Sequence, residues 1–259
     1  MAMRIMIYNI LDGGTGRIDP ICHVIGSAHP DIVLLCEATD HMQTMTIARK
    51  LEMAVFPAQL PNNPRGAVAL LSRWEIAQAV NWGAINPKEK SAALIATVRK
   101  SDRDVVVVGS HFAYACHGDD ERRQLETIIA SAAPAGQRQT DMLLLIGDAT
   151  DEGSQKQDGN VGEAKASPSP GTAPLPPVKA AENGALAFLE QHGWIDTHIA
   201  ESNGSLPTPN YPTYKPTSRA DRIFVKNTPY LRIESSRVIQ NPLARFASDH
   251  YPVVADVAF

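Results

Sequence analysis

The chain has 259 residues, 44% hydrophobic and 20% charged, with 24 Lys and Arg against 28 Asp and Glu, a formal charge of -4. That length and apolar content suffice for a sizeable core and exclude a chain that is disordered, collagenous or fibrous as a whole. The mildly acidic balance, without any long run of Lys or Arg, gives no electrostatic footprint for tight non-specific binding to nucleic acid or membrane, although a local basic patch remains compatible with it. Cys22, Cys36 and Cys116 stand far apart with no C-x-x-C pair. They suggest neither a disulfide framework nor a zinc ribbon, and fit a reducing compartment, so a cytoplasmic location is expected.

In chain order, the apolar stretch that opens the sequence is too short to cross a membrane and has no small-residue cleavage site; Arg4 to Asn9 is predicted as the first strand. A helix is predicted over Asp40 to Met53, then buried strands at 67–71 (AVALL) and 105–108 (VVVV). Asp119 to Ser131 is predicted as a helix, with Leu125, Ile128 and Ile129 on one face. A further strand, MLLLI at 142–146, leads to a segment of different texture. From about 153 to 179 there is no aromatic residue, and five prolines fall within ten positions, a composition that cannot offset its own ordering entropy. It is expected to be a flexible surface insertion within one domain spanning 1–259, because chemistry-bearing motifs lie on both sides. Glu182 to His192, closed by Gly193, is predicted as a helix, and RIFV at 222–225 as a strand. No later stretch reaches the roughly twenty uncharged apolar residues of a spanning helix. Strands that follow one another without intervening helices imply an α+β fold with sheet packed on sheet.

Polar residues gather where the apolar runs stop: Asn9 after RIMIY, Glu37 after DIVLLC, His111 after VVVVGS, Asp148 after MLLLIG, Asp221 in SRADRIFV, and Asp249 with His250 in ASDHYPVV. Singly each has a bland reading, with Asp148 as a turn former, His111 as a satisfied structural residue and Glu37 as the mark of a helix start. Together they would be costly to assemble unless a cation and hydrogen bonds balanced the charge. Mg²⁺ is suited to such a place, since it takes oxygen ligands, keeps several waters and uses one or two protein carboxylates, which Glu37 and Asp249 would serve.

The order of YNIL, CEATD, ALLSR, GSHFAY with ERRQLETI, IGDATDE, SRADRIFV and SDHYPV resembles the endonuclease/exonuclease/phosphatase superfamily, from Arg4 to Val257 without the insertion. The resemblance implies a four-layer α/β/β/α sandwich and divalent-metal hydrolysis of a phosphate ester. It implies Glu37 as the principal Mg²⁺ (or Mn²⁺) ligand, with Asn9 and Asp249 beside it, and Asp148 orienting and deprotonating water. His250 would hold the scissile phosphate or transfer a proton, its ring fixed by Asp221, and His111 would be a second phosphate-facing histidine. The sequence does not choose between Asp148 and His250 as the base. Where most members carry Asn two residues after the Asp, this chain has Thr150; if its hydroxyl cannot reach, the loss is about 2 to 4 kcal/mol of transition-state stabilisation. Asp151 and Glu152 either add charge for a second cation or form an acidic turn.

Other features carry the blander reading. DGGTGR at 12–17 lacks a third glycine, and there is neither a P-loop nor a G-x-S-x-G elbow. Arg65 reads as solvated surface, Arg73 as support for a sheet edge, and Trp82 as core or loop packing. Tyr211 and Tyr214 either wall a pocket or pack inside, and Cys116 with His117 lacks partners at metal-ligand spacing. Three activities are compatible with the sequence. The first is a phosphodiesterase or nuclease, whose partner is a phosphate-ester substrate with nucleic acid among the candidates and no membrane span. The second is a phosphatase of small molecules or lipid head groups, and the third a weakened member that binds phosphorylated ligands. Oligomeric state and substrate identity are left open.

Overall fold

In a computed structural model of the protein, the residues described are 2–60, 63–86, 91–101, 103–112, 119–132, 141–149, 184–202 and 207–259. Thr150, Asp151, Glu152, Cys116, His117 and the 153–179 segment lie outside them, as do residues 182 and 183 of the predicted helix.

Near-continuous apolar runs make strands that are buried on both faces. In β1 (Ala2–Asn9), Met3, Ile5 and Ile7 face one core while Met6 and Tyr8 face another. β2 (Ile32–Cys36) divides the same way, with Leu34 and Cys36 on one side and Val33 and Leu35 on the other. The first six-stranded sheet has the order β11 (Arg232–Val238), β12 (Val253–Ala258), β1, β2, β4 (Asn63–Ser72), β3 (Ala54–Leu60). The second has the order β5 (Glu75–Asn81), β6 (Ala92–Lys100), β7 (Arg103–His111), β8 (Asp141–Gly147), β10 (Arg222–Lys226), β9 (Trp194–Asp196). In each sheet one central pair is parallel, β1 with β2 and β7 with β8, and all other pairings are antiparallel.

The inner faces meet in a core that includes Ile5, Ile7, Leu34, Leu70, Leu94, Val107, Leu145, Ile223 and Val257. Outside the first sheet lie α1 (Ile18–Ala28), α2 (His41–Leu51) and α7 (Pro242–Ala247); outside the second lie α3 (Trp82–Ile85), α4 (Asp119–Ala132) and α5 (Ala185–Gln191). Two mixed sheets with helices on their outer faces are the four-layer α/β/β/α sandwich expected from the sequence. α6 (Thr197–Glu201) is a short helix that follows β9.

Among the predicted helices, α2 starts where expected, Asp40 accepting the backbone N–H of Gln43 at 3.0 Å as its N-cap. In α4, Leu125 and Ile128 are fully buried and Ile129 packs beside them. The sequence reading did not name α1, although Ile21, Val24, Ile25 and Ala28 share its buried face at helical spacing. Pro20 sits in its first turn, where the missing N–H costs nothing. Trp82 is buried in the outer core of the second sheet, and Arg73 donates through Nε to Pro30 O at 2.9 Å, at the end of β4.

Gly109 leaves room for a side chain of the facing sheet. A Cβ added at Gly109 of β7 would lie 2.5 Å from Leu34 Cδ1 and 3.4 Å from Leu94 Cγ, both in the inter-sheet core. Gly109→Ala is therefore expected to destabilise the protein by about 1–3 kcal/mol through overpacking, read as a lower urea midpoint; an unchanged midpoint would show that the layers can separate freely there.

Candidate active site

The two parallel pairs end at one rim. β1 and β2 run in register to Asn9 opposite Cys36, and β7 and β8 to His111 opposite Gly147. β10 and β12 run the other way and start there, with Arg222 opposite Ile146 and Val253 opposite Ile7. Residues just before these two strands, Asp221 and the Asp249–His250 pair, therefore reach the same rim as residues just after β2 and β8, Glu37 and Asp148.

Glu37 and Asp148 both adopt left-handed backbone, each with φ 55°. For a non-glycine residue this costs about 1–2 kcal/mol, and here it turns each carboxylate away from its strand into the rim. Glu37 is held from two directions: Asn9 Nδ2 donates to Oε1 at 3.0 Å and the backbone N–H of Asp12 donates to Oε2 at 2.9 Å. The loop that supplies this donor is also left-handed, at Leu11, Asp12, Gly13 and Gly14. Asn9 Oδ1 in turn accepts the N–H of Leu11 at 3.0 Å. The Asn9 amide thus ties loop to carboxylate, with one carbonyl lone pair left over.

Asp148 lies between two imidazoles. Its Oδ2 is 3.1 Å from His111 Nε2 and its Oδ1 is 4.0 Å from His250 Nε2. His250 Nδ1 is 2.8 Å from Asp221 Oδ2, so Asp221 fixes the ring and leaves Nε2 facing Asp148. All four residues are almost fully buried. The floor beneath them is tight: a Cβ on Gly147 would lie 2.5 Å from Cys36 Sγ and 3.0 Å from His111 Cδ2.

Charge governs the site. Burial pushes the Asp249 carboxyl up from its ordinary range; His250 opposes this, while Glu37 and Asp148 add to it. The Cys36 thiol is raised by burial and then by Asp221, Asp148 and Glu37, which keeps it a neutral part of the floor. For His250 burial disfavours the charged ring, but Asp221, through charge and hydrogen bond, and then Asp148 and Asp249 outweigh it, so its pKa is pushed up to about 9.

One ligand atom from each of Glu37, His111 and Asp148 lies within 4.8 Å of the others, a spacing that fits a single cation. A preponderance of carboxylate oxygens suits Mg²⁺ or Mn²⁺, and the imidazole tilts the set toward the latter. The compact trio differs from the sequence expectation of Glu37, Asn9 and Asp249. It retains Glu37 but draws on two residues that had been expected to act on phosphate and water, while Asn9 binds Glu37 itself and Asp249 is half-buried at the edge.

Two contributors, Ser248 and Asn210, were missed in the sequence, which leaves Tyr211 open between pocket wall and core. The buried Ser248 donates through Oγ to Asn9 O at 2.7 Å, joining β1 to the SDH segment. Tyr211, half-buried, packs its ring on His250 with centroids 4.4 Å apart, whereas Tyr214 is exposed. Asn210 donates to Asp221 Oδ2 at 2.7 Å. Ser248 borders a recognisable motif. Asn210 and Tyr211 stand eleven and ten residues from Asp221, and no periodicity links them to it.

No family profile and no curated protein matches the chain. Solved structures do match. An endonuclease/exonuclease/phosphatase from Bacteroides vulgatus is similar at 17% identity and TM-score 0.71, covering 100% of this chain and 99% of its own. D. rerio TDP2 complexed with single-strand DNA product is similar at 14% identity and TM-score 0.66, with 100% and 99% covered. A mannosyl-6-phosphatase from Bacteroides thetaiotaomicron is similar at 13% identity and TM-score 0.67, with 99% and 100% covered. The chain has the endonuclease/exonuclease/phosphatase fold.

The raised His250 pKa makes stability depend on pH. The folded protein binds that proton more tightly than an unfolded chain, whose imidazole titrates at the ordinary 6.5. The contribution is therefore complete below about pH 6.5 and is lost as pH rises through about 9. In metal-free protein the thermal midpoint of wild type is expected to fall across that window more than that of His250→Gln. Parallel curves would show that the ring is not charged when folded.

Proposed function

We propose that the protein is a divalent-metal-dependent phosphoesterase, a phosphodiesterase or nuclease in which water attacks a phosphate ester held at this rim. The observation that carries the reading is the Asp148 carboxylate set between His111 and a His250 ring oriented by Asp221, beside a Glu37 held by Asn9 and the Asp12 N–H. Glu37 would hold the cation, with Asp148 and His111 bordering it and kept for the water, and the cation when bound neutralises phosphate oxygens as charge develops. The same fold in D. rerio TDP2 with its single-strand DNA product and in a mannosyl-6-phosphatase supports phosphate-ester chemistry as the class.

Within this reading we assign Asp148 as the base. Against the effect of burial, Asp221, by charge and hydrogen bond, and then Asp148 and Asp249 raise the His250 pKa to about 9, which favours an imidazolium that would donate from Nε2 to a phosphate oxygen. Asp148 then accepts the proton of the attacking water, and His111 holds its second oxygen in place. In sequence Thr150 replaces the Asn that the resemblance implies, and a hydroxyl has a single hydrogen to donate where an amide has two.

Hydrolysis of bis-p-nitrophenyl phosphate, p-nitrophenyl phosphate and single-stranded DNA with Mg²⁺, Mn²⁺ or EDTA tests the reading. Metal-dependent turnover of the diester is expected, with Glu37→Gln and His250→Ala each lowering kcat by about 10²-fold or more. Turnover of the monoester alone would move the protein to the phosphatase class. Turnover that survives EDTA, or both substitutions, would overturn the proposal.

A further inference from the structure

Three residues, Asn210, Tyr211 and Thr213, grip all of the segment that carries the chemistry. Thr213 donates through its N–H to Asp249 O at 2.8 Å and through Oγ1 to Ser248 O at 3.1 Å. The Tyr211 ring packs on the His250 imidazole. The Asn210 carbonyl accepts the N–H of Tyr251 at 2.8 Å, and Tyr251 Oη returns to Thr213 O at 3.2 Å. Residues 210–213 thus lie along 248–251 and make contact at each of its four positions.

Asn210 does more than brace the backbone. It is 1% exposed, and its amide makes four hydrogen bonds. Oδ1 accepts the N–H groups of Ala220 at 2.9 Å and Asp221 at 3.3 Å, while Nδ2 donates to Tyr251 O at 3.0 Å and Asp221 Oδ2 at 2.7 Å. The last bond ends on the oxygen that holds His250 Nδ1. One amide therefore fixes the backbone at Asp221, the rotation of its carboxylate and the backbone next to His250. Without the Nδ2 donor, the carboxylate keeps only the long 3.4 Å bond from the Asp148 N–H to Oδ1 besides the imidazole itself, so the carboxylate and the ring it holds are less firmly fixed and Nε2 can turn away from Asp148.

We infer that Asn210 is a positioning residue for the reaction: it sets Asp221, and through it directs His250 Nε2 into the site. The inference rests on the proposed phosphoesterase reading for its effect on rate, and on geometry alone for its effect on the ring.

The test compares wild type, Asn210→Asp and Asn210→Ala, with Ser236→Ala as a control that removes a buried hydroxyl–hydroxyl hydrogen bond elsewhere, between Ser236 and Thr197. Asn210→Asp keeps the acceptor for the two N–H groups and the side-chain size, and loses the donor to Asp221, so it remains informative if Asn210→Ala does not fold. Two readouts are taken: kcat and KM for bis-p-nitrophenyl phosphate with Mn²⁺, and the His250 Nδ1–H signal in side-chain ¹H–¹⁵N spectra of metal-free protein. In the Asp variant kcat is expected to fall by about 10²-fold with KM within about twofold of wild type, and the Nδ1–H signal to shift or broaden. Ser236→Ala should leave both unchanged even if it melts lower. A folded Asp variant with wild-type kcat and an unchanged signal would overturn the inference and leave Asn210 a purely structural residue. If wild type turns over no phosphate ester, the functional reading fails and the spectrum alone decides whether Asn210 directs the ring.

Discussion

Four carboxylates, those of Glu37, Asp148, Asp221 and Asp249, share one end of a closely packed double sheet, and His250, its pKa pushed up to about 9, sits among them. Bringing charges out of water costs on the order of several kcal/mol per ion unless each is paired and hydrogen-bonded. The rest of the rim can be understood as the means by which that cost is met. Asp221 is balanced by the protonated His250 and by Asn210; Glu37 takes two donors, one from a side chain and one from a loop N–H; Asp148 has an imidazole on each side. Asp249 has less support, and its carboxyl is displaced toward the neutral form. The excess negative charge is the physical reason for proposing a divalent cation at this place.

Topology makes the concentration possible. Each sheet has a single parallel pair at its centre, so the carboxyl ends of four strands reach one rim, and the flanking antiparallel strands β10 and β12 begin there. Chemistry then falls at strand ends in both directions, with Asn9 and His111 as last residues, Glu37 and Asp148 just beyond, and Asp221 and His250 just before. The left-handed backbone at Glu37 and Asp148 is the local cost of turning a side chain out of a strand that must otherwise stay in register.

Much of this was legible in the sequence because the strands are apolar on both faces, so that a polar residue marks a strand end sharply. RIMIYN, DIVLLCE, VVVVGSH and MLLLIGD all stop where the structure places the rim. Two packed sheets followed from strands too close in sequence for intervening helices. What escaped was of two kinds. α1 was obscured by Pro20 near its start, although its buried face has regular spacing. Asn210 and the Asp12 N–H escaped because they act through bonds between segments remote in sequence, or through backbone, which no side-chain pattern records. The compact trio illustrates the same limit: strand-end chemistry pointed to Glu37, but that ligand atoms of His111 and Asp148 come within 4.8 Å of it depends on how one sheet rests on the other.

Crystals soaked in Mn²⁺ and measured at the manganese edge would test the central claim, that the rim is built around a divalent cation. The account predicts an anomalous peak within coordination distance of the Glu37 carboxylate and bounded by Asp148, absent from Glu37→Ala crystals treated identically. A rim without a peak in wild type, with Asp148 and Asp249 protonated instead, would contradict it.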